Sequence, residues 1–277
     1  MAKRVITGIL LTVVLLFLAR QLSMNRPEEV EISAGGIKLR HTTVFEQVGD
    51  GCPVLFLDIS SEAVDIARTD LVYFESDRDT EKREKMLEME AGRWKGSLPG
   101  RAKGNRLRYY FEVETADGGS LRLPEEGVVG FLVKYKGEVS GFVLLLHVIF
   151  MFGAFFFMVE AALCALRLLA GDENKRMTML MVRWLIFFTF LGGWPLGFIL
   201  NGQRFGPIWE GFPFGYDITD NKTQLMFIFW LVTIILSWSS FIGKGEKADH
   251  VGRKGFAIAV LTSFILSLAI FLIPHSL

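Results

Sequence analysis

Gly202–Thr223, GQRFGPIWEGFPFGYDITDNKT, decides how this chain is read. Its aromatic residues Phe205, Trp209, Phe212, Phe214 and Tyr216 are spaced too irregularly for a helix face, and Gly206, Pro207, Gly211, Pro213 and Gly215 cut between them. The flanking segments, 178–200 and 225–242, are long and apolar. Non-helical backbone at membrane depth is tolerated only where protein or water covers it, and Trp and Tyr favour the headgroup level. The stretch therefore reads as a folded-back interfacial loop that places an ordered polar site at a membrane surface.

Working outward, further apolar runs occupy 5–19, 141–169 and 256–273. Most approach or exceed the ~18–20 residues that cross ~30 Å of hydrocarbon. Between Gln21 and Lys136 charges are frequent and no window is long enough to span. The pattern predicts a membrane α-helical bundle of five transmembrane helices plus one soluble domain. The 277 residues carry 30 basic and 30 acidic side chains, a net charge of zero that gives nucleic acid no reason to bind.

Local charge sets the orientation. Lys3 and Arg4 precede the first run, which puts the N-terminus in the cytoplasm by the positive-inside rule. Alternation then places 21–139 outside. The next inner segment carries Arg167, Lys175, Arg176 and Arg183, and the last carries Lys244, Lys247, Arg253 and Lys254, as the rule requires. The first run resembles a signal peptide, but Leu18-Ala19-Arg20-Gln21 lacks a small-x-small cut site, so it reads as an uncleaved signal anchor over 1–22. Cys52 falls outside and Cys164 near the inner end of the second helix, so they form neither a disulfide framework nor a metal site. The sequon Asn221-Lys222-Thr223 abuts a helix, where capping accounts for it.

From Val30 to Lys136 short apolar and polar runs alternate. In Leu107–Glu114, Leu107, Tyr109, Phe111 and Val113 share one face at the period of two of a half-buried strand. Asp117-Gly118-Gly119 supplies a turn, and Ser120–Pro124 a return strand. Leu71–Phe74 and Lys85–Met89 are further strands, for about seven in an antiparallel sandwich. With Trp94–Gly100, Arg108–Phe111 and the Asp117-Gly118 turn, the segment 28–137 resembles the immunoglobulin-like or fibronectin type III group. That resemblance implies an extracytoplasmic all-β domain that binds or spaces rather than catalyses. The charged run Asp77–Lys85 reads as a solvated loop or edge.

The membrane domain, 140–277, carries the candidate site residues. His147 lies about seven residues into the second helix, roughly 10 Å deep. An ionisable residue at that depth is a functional candidate, against the alternative of an imidazole bonded to a neighbouring helix. Glu160 lies near the inner interface, where Arg167 and Arg183 favour an ion pair. Gly192-Gly193-Trp194-Pro195-Leu196-Gly197 predicts a kink or a space in the third helix. Asp220 or Asn221 caps the fourth helix, with Gln224 at capping-box spacing from Asn221. Alternatively Asp217 and Asp220 hold a hard cation such as calcium, although the full EF-hand spacing is absent. His275 falls on the outer side with His147, and imidazoles ligate metals and haem, so this pair is the candidate metal or haem site.

Tyr135-Lys136-Gly137 leading to His147–Phe152, the run Phe205–Thr223 and Ile273-Pro274-His275-Ser276 together resemble an uncharacterised family of bacterial integral membrane proteins. The resemblance implies that His147, the segment Asp217–Lys222 and His275 belong to the family's pattern. No Gly-x-Ser-x-Gly or His-Glu-x-x-His signature is present. The sequence thus predicts a bacterial cytoplasmic-membrane protein with both sandwich and C-terminus extracytoplasmic. It points to a binding or assembly module that meets membrane lipid and an envelope protein partner, with Trp209, Asp217, Asp220, Asn221 and Lys222 as ligand-binding residues. A redox or metal protein using His147 and His275 is the alternative.

Overall fold

The computed structural model describes residues 2–23, 26–61, 64–75, 80–90 and 92–273. It comprises two compact units, one of helices (1–25, 139–202 and 207–277) and one of strands (26–138 with 203–206).

Two sheets form the β unit. The first has the order β1 (Glu29–Ala34), β2 (Ile37–Thr42), β4 (Val54–Ser61), β8 (Arg93–Ser97), β7 (Leu87–Glu90). The second has the order β3 (Glu46–Val48), β11 (Phe131–Lys136), β9 (Arg106–Thr115), β5 (Ile66–Glu75), β6 (Lys82–Lys85), with β10 (Ser120–Leu123) paired to β9. Pairing is antiparallel except between β3 and β11. The period of two in the sequence explains the layering. Leu107, Tyr109, Phe111 and Val113 on β9 face inward and meet Leu39, Leu55 and Leu57 of the other sheet in one apolar core. Each such leucine, fully buried, contributes about 1.5–3 kcal/mol.

The expected turn at Asp117 and return strand at Ser120 are present, with Ser120 opposite Glu114. The described residues hold eleven strands, more than the seven expected, and Lys85–Met89 is not one of them. Here the chain changes sheets: β6 pairs with β5, β7 with β8, and Met86 between them is 1% exposed, with its N–H given to the Thr69 carbonyl. Apolar character did not mark the corner, because Leu87 and Met89 beside it are also apolar yet exposed, and only Met86 turns inward. Of the run Asp77–Lys85, the part from Thr80 is described, and its Lys82–Lys85 forms the exposed edge β6 as expected; residues 77–79 lie outside the described residues.

The helical unit runs α1 (Ala2–Ser23), α2 (Gly141–Ala170), α3 (Lys175–Leu191), α4 (Gly197–Arg204), α5 (Ile218–Leu236), α6 (Trp238–Phe241) and α7 (Arg253–Leu272). Asn174 caps α3 by accepting the Met177 N–H at 2.9 Å, and Gly171 ends α2 in the left-handed conformation at φ 87°. Gly192–Leu196 joins α3 to α4 as a π turn, not an open kink. Pro195 has no N–H to give, and the Gly197 N–H reaches back five residues to the Gly192 carbonyl, so one continuous 30-residue helix survives the proline.

Three helices, Gly141–Ala170, Lys175–Arg204 and Arg253–Leu272, are long and apolar enough to cross a membrane by length and composition, and Val5–Gln21 is a shorter apolar helix. Ala154, Phe155, Met158, Val182, Trp230 and Phe256 anchor the core that joins α2, α3, α5 and α7. Gly153 brings α2 against α3, since a Cβ there would stand 2.3 Å from the Phe188 ring. Between α5 and α7 the contacts are polar: Trp230 donates to Ser267 Oγ at 3.0 Å, and Thr233 and Ser263 share a hydrogen bond of 2.8 Å. At one end of the bundle Lys175 of α3 pairs with Asp249, which precedes α7. Arg183 donates to the Ser240 carbonyl at 2.8 Å, while the Glu160 carboxylate lies against Gly8 of α1.

Candidate functional site

A cavity of about 270 Å³ opens inside the helical unit at the end opposite the Lys175–Asp249 pair. Its polar rim is His147 of α2, Asn201 of α4, and Thr219, Asp220, Lys222 and Thr223 of α5. Its deeper wall is apolar: Phe155 and Met158 of α2, Leu185 of α3, Met226 and Trp230 of α5. Gly193 and Gly197 give it width, because these two positions on the α3–α4 helix project no side chain into it. From Thr219 to Trp230, eleven positions at 1.5 Å each make a shaft roughly 16 Å long.

The rim residues are held by specific bonds. His147 Nδ1 lies 3.0 Å from the Gly192 carbonyl. A carbonyl only accepts, so Nδ1 donates to it. The π turn matters here, since the Gly192 carbonyl serves both His147 and the Gly197 N–H. Asp220 has both oxygens engaged: Oδ1 accepts from Asn201 Nδ2 at 2.9 Å and Oδ2 from the Glu210 N–H at 2.7 Å. Lys222 is 6% exposed and donates to the Ile273 carbonyl at the end of α7. A cation there meets the negative end of the helix dipole.

The loop is shorter than its sequence implies. α4 continues to Arg204 and α5 begins at Ile218, so only 205–217 is non-helical. The cap is Asp217, whose Oδ1 accepts from the N–H groups of Thr219 and Asp220 at 2.8 and 3.0 Å. Neither Asp220 nor Asn221 caps: both lie in the first turn and reach back to the loop, Asn221 by accepting the Phe212 N–H at 2.7 Å. The sequence places three candidate cap residues within five positions, and the outermost takes the helix while the inner two clamp the loop. Trp209 stacks on Trp194 at 5.2 Å and 14°. Gly215 is required because a Cβ would stand 2.3 Å from the Glu210 carbonyl. Phe212, Phe214 and Tyr216 point outward, at 63, 84 and 91% exposure.

Of the residues expected from the sequence, His147, Asp220 and Lys222 are brought together at the cavity, whereas Trp209, Asp217 and Asn221 build the loop around it. His275 lies outside the described residues. Among the described residues no three His, Cys, Asp or Glu side chains group to hold a metal ion. Asp217 Oδ1 and both Asp220 oxygens accept hydrogen bonds from N–H donors within the loop and its flanking helices. Asn201 and Trp230 escaped the sequence reading. Asn201 was the signal available, a carboxamide ending a long apolar run.

No family model matches the chain, and no curated protein matches it. Among solved structures, "pT26-6p" aligns over 85% of this chain at 8% identity with a TM-score of 0.20. The chain spans 48% of that protein's length.

Proposed function

We propose that this chain is a multi-pass protein of a bacterial cytoplasmic membrane that binds a ligand at the outer face and catalyses no reaction. The observation that carries this reading is the cavity, where six polar side chains from three helix segments ring the mouth of an apolar shaft. Binding pockets combine a largely apolar lining with a few convergent polar groups in this way. Both oxygens of the rim carboxylate accept hydrogen bonds, one from Asn201 and one from the Glu210 N–H, which supports a structural role for it.

In this reading α1 is a signal anchor, α5 with α1 completes a five-span bundle, and the N-terminus is cytoplasmic. The ion pair joining the start of α3 to the segment before α7 supports one shared inner end, where the basic residues cluster. The β unit is extracytoplasmic and immunoglobulin-like. Its strand orders support that: β2-β4-β8-β7 follows A-B-E-D, and β11-β9-β5-β6 follows G-F-C-C′. Such a domain suits docking of an envelope protein partner, and the outward aromatics of the loop suit the lipid headgroup layer.

The decisive experiment is native mass spectrometry of the detergent-purified chain before and after solvent extraction. The wild type is expected to carry a bound lipid-soluble molecule that Met226→Trp, which fills the shaft, does not carry. Identical masses for the two proteins would refute the cavity as a ligand site.

A further inference from the structure

We infer that the end of the helical unit carrying the Lys175–Asp249 pair is a docking surface for the phosphates of anionic membrane lipids, an inference that rests on the chain spanning a membrane but not on the cavity. Its seat is the segment between α5 and α7, residues 237–252. Hydrogen bonds hold this segment in one shape. Asp249 accepts the Ser240 N–H at 2.9 Å and the Ser240 hydroxyl, the Leu236 carbonyl accepts the His250 and Val251 N–H groups at 3.1 and 3.3 Å, and the Lys244 N–H returns to the Ser239 carbonyl at 2.8 Å. Gly243 and Gly245, at φ 84° and 94°, make the turn. A surface fixed in this way loses little further freedom when it binds.

The charge of the segment is one-sided. From Ser237 to Lys254 the basic residues are Lys244, Lys247, Arg253 and Lys254, and the acidic ones Glu246 and Asp249. Asp249 is taken up by the buried Lys175, and Glu246 by Arg253 at 2.8 Å. Lys244, Lys247 and Lys254, all exposed, remain as positive charge in excess. The α2–α3 connection at the same end does not offset them, since Arg167 and Arg176 there match Asp172 and Glu173.

What stands beside these charges identifies the partner. On α5 the exposed residues Ile228, Val232 and Ile235 step by four and three, and Trp238 and Ile242 carry the same stripe onto the segment itself. On α7 the exposed Ile258 and Ile265 share a helix face with Lys254, which precedes Ile258 by four positions. A lysine at the end of a lipid-facing stripe reaches the phosphate level along its own apolar stem, and Trp238, 52% exposed, belongs in the headgroup layer that tryptophan favours. A soluble acidic partner would account for the lysines but not for the exposed tryptophan and isoleucine that flank them. A zwitterionic lipid brings its own ammonium with its phosphate, so the excess positive charge selects an anionic one. Each lysine at such a surface favours it about fivefold.

The test reconstitutes the full chain in phosphatidylcholine bilayers that contain either phosphatidylglycerol or phosphatidylcholine brominated near the top of its acyl chains. Trp238 reports bromine beside the lysines, and Trp238→Phe identifies its share of the emission of six tryptophans. Quenching of Trp238 is expected to favour the brominated phosphatidylglycerol about fivefold or more at about 0.01 M salt, where charges act over about 30 Å, and to favour neither lipid at about 1 M, where they act over about 3 Å. Replacing Lys244, Lys247 and Lys254 together by Gln should abolish the preference, whereas the same change at the exposed Lys82, Lys85 and Lys95 of the β unit should leave it in place. Because the salt comparison uses the wild-type protein, it stands even if the triple variant fails to fold. Equal quenching by the two lipids at low salt, or a preference that survives in the Lys244, Lys247 and Lys254 variant, overturns the inference while leaving the chain in the membrane and the lysines to another partner. Absence of quenching by either lipid overturns both the inference and the membrane-spanning reading beneath it.

Discussion

Lys175 and Asp249 form an ion pair of 2.7 Å in which the side chains are 1% and 0% exposed. Lys175 also donates to the Val251 carbonyl at 3.3 Å and stands 5.0 Å from the Phe256 ring, while Asp249 accepts the Ser240 N–H at 2.9 Å and the Ser240 hydroxyl. Burial pushes the Asp249 carboxyl up, but the bonds from Lys175 and Ser240 outweigh it and hold the group below the usual carboxylate range. A carboxyl depressed in the folded state stabilises at neutral pH and gives that up as pH falls through its folded value.

Removing one partner of this pair strands the other. Lys175→Met should cost about 3–5 kcal/mol and lower the thermal midpoint of the detergent-solubilised protein, whereas Lys175→Met with Asp249→Leu should recover much of that loss. Tryptophan-fluorescence melts of the two variants measure this. A double variant no more stable than the single one would mean that the Ser240 contacts, not the ion pair, carry the stability.

In the β unit, His41 is 2% exposed, with Nδ1 2.7 Å from the Phe56 carbonyl and Nε2 2.7 Å from the Tyr109 hydroxyl. Nδ1 must donate, so Nε2 accepts from Tyr109, whose oxygen in turn accepts the Val44 N–H at 3.2 Å. Burial lowers the imidazole from its ordinary 6.5. The unfolded chain therefore takes up a proton that the folded chain refuses, so stability is full above pH 6.5 and declines as pH falls below it. Melts of the full chain from pH 8 to 5 should show this decline, and His41→Leu should flatten it while costing about 1–3 kcal/mol at pH 8 through the unpaired Tyr109 hydroxyl. An unchanged slope in that variant would assign the acid sensitivity to other groups.

Gly153 tests how tightly α2 and α3 pack. Gly153→Ala should cost about 1–3 kcal/mol, because its Cβ must displace Phe188, which is already in contact with Phe150, Phe157 and Trp184. Adding Phe188→Leu should restore part of the loss. Thermal melts of single and double variants separate steric crowding from a plain change of helix propensity.

Much of this was legible in the residues. Leu107, Tyr109, Phe111 and Val113 face the β core because period two admits no other arrangement once one of them is buried. The long apolar runs are helices, since their length and composition leave few alternatives. Two kinds of feature were not legible. The sheet change at Met86 depends on which partner strand is nearest, and local alternation is the same before and after it. The cavity depends on small residues, Gly193 and Gly197, lining it together with residues of separate helices, and no one-dimensional pattern records such a vacancy. His147, Asp220 and Lys222 stood out as polar residues in apolar surroundings; their convergence needed the bundle.

The last prediction separates scaffold from site within Asp217–Lys222. Asp217 supplies the helix cap, so Asp217→Ala should cost about 1 kcal/mol while Asp217→Ser, which keeps a capping oxygen, should cost little. Asn221→Ala removes the acceptor of the Phe212 N–H, an exposed bond worth about 0.5–1.5 kcal/mol. Neither side chain lines the cavity, so both changes should lower the melting midpoint and leave the bound molecule seen by native mass spectrometry in place. Asp220 differs because it does both: it clamps Asn201 to the Glu210 N–H and lines the rim. Asp220→Ala should therefore move melting and ligand retention together. Melts and native mass spectra of the same three preparations check the split. If Asp217→Ala weakened binding as much as Asp220→Ala, the ligand would be responding to the loop as a whole, and the rim would lose its claim to be the recognising surface.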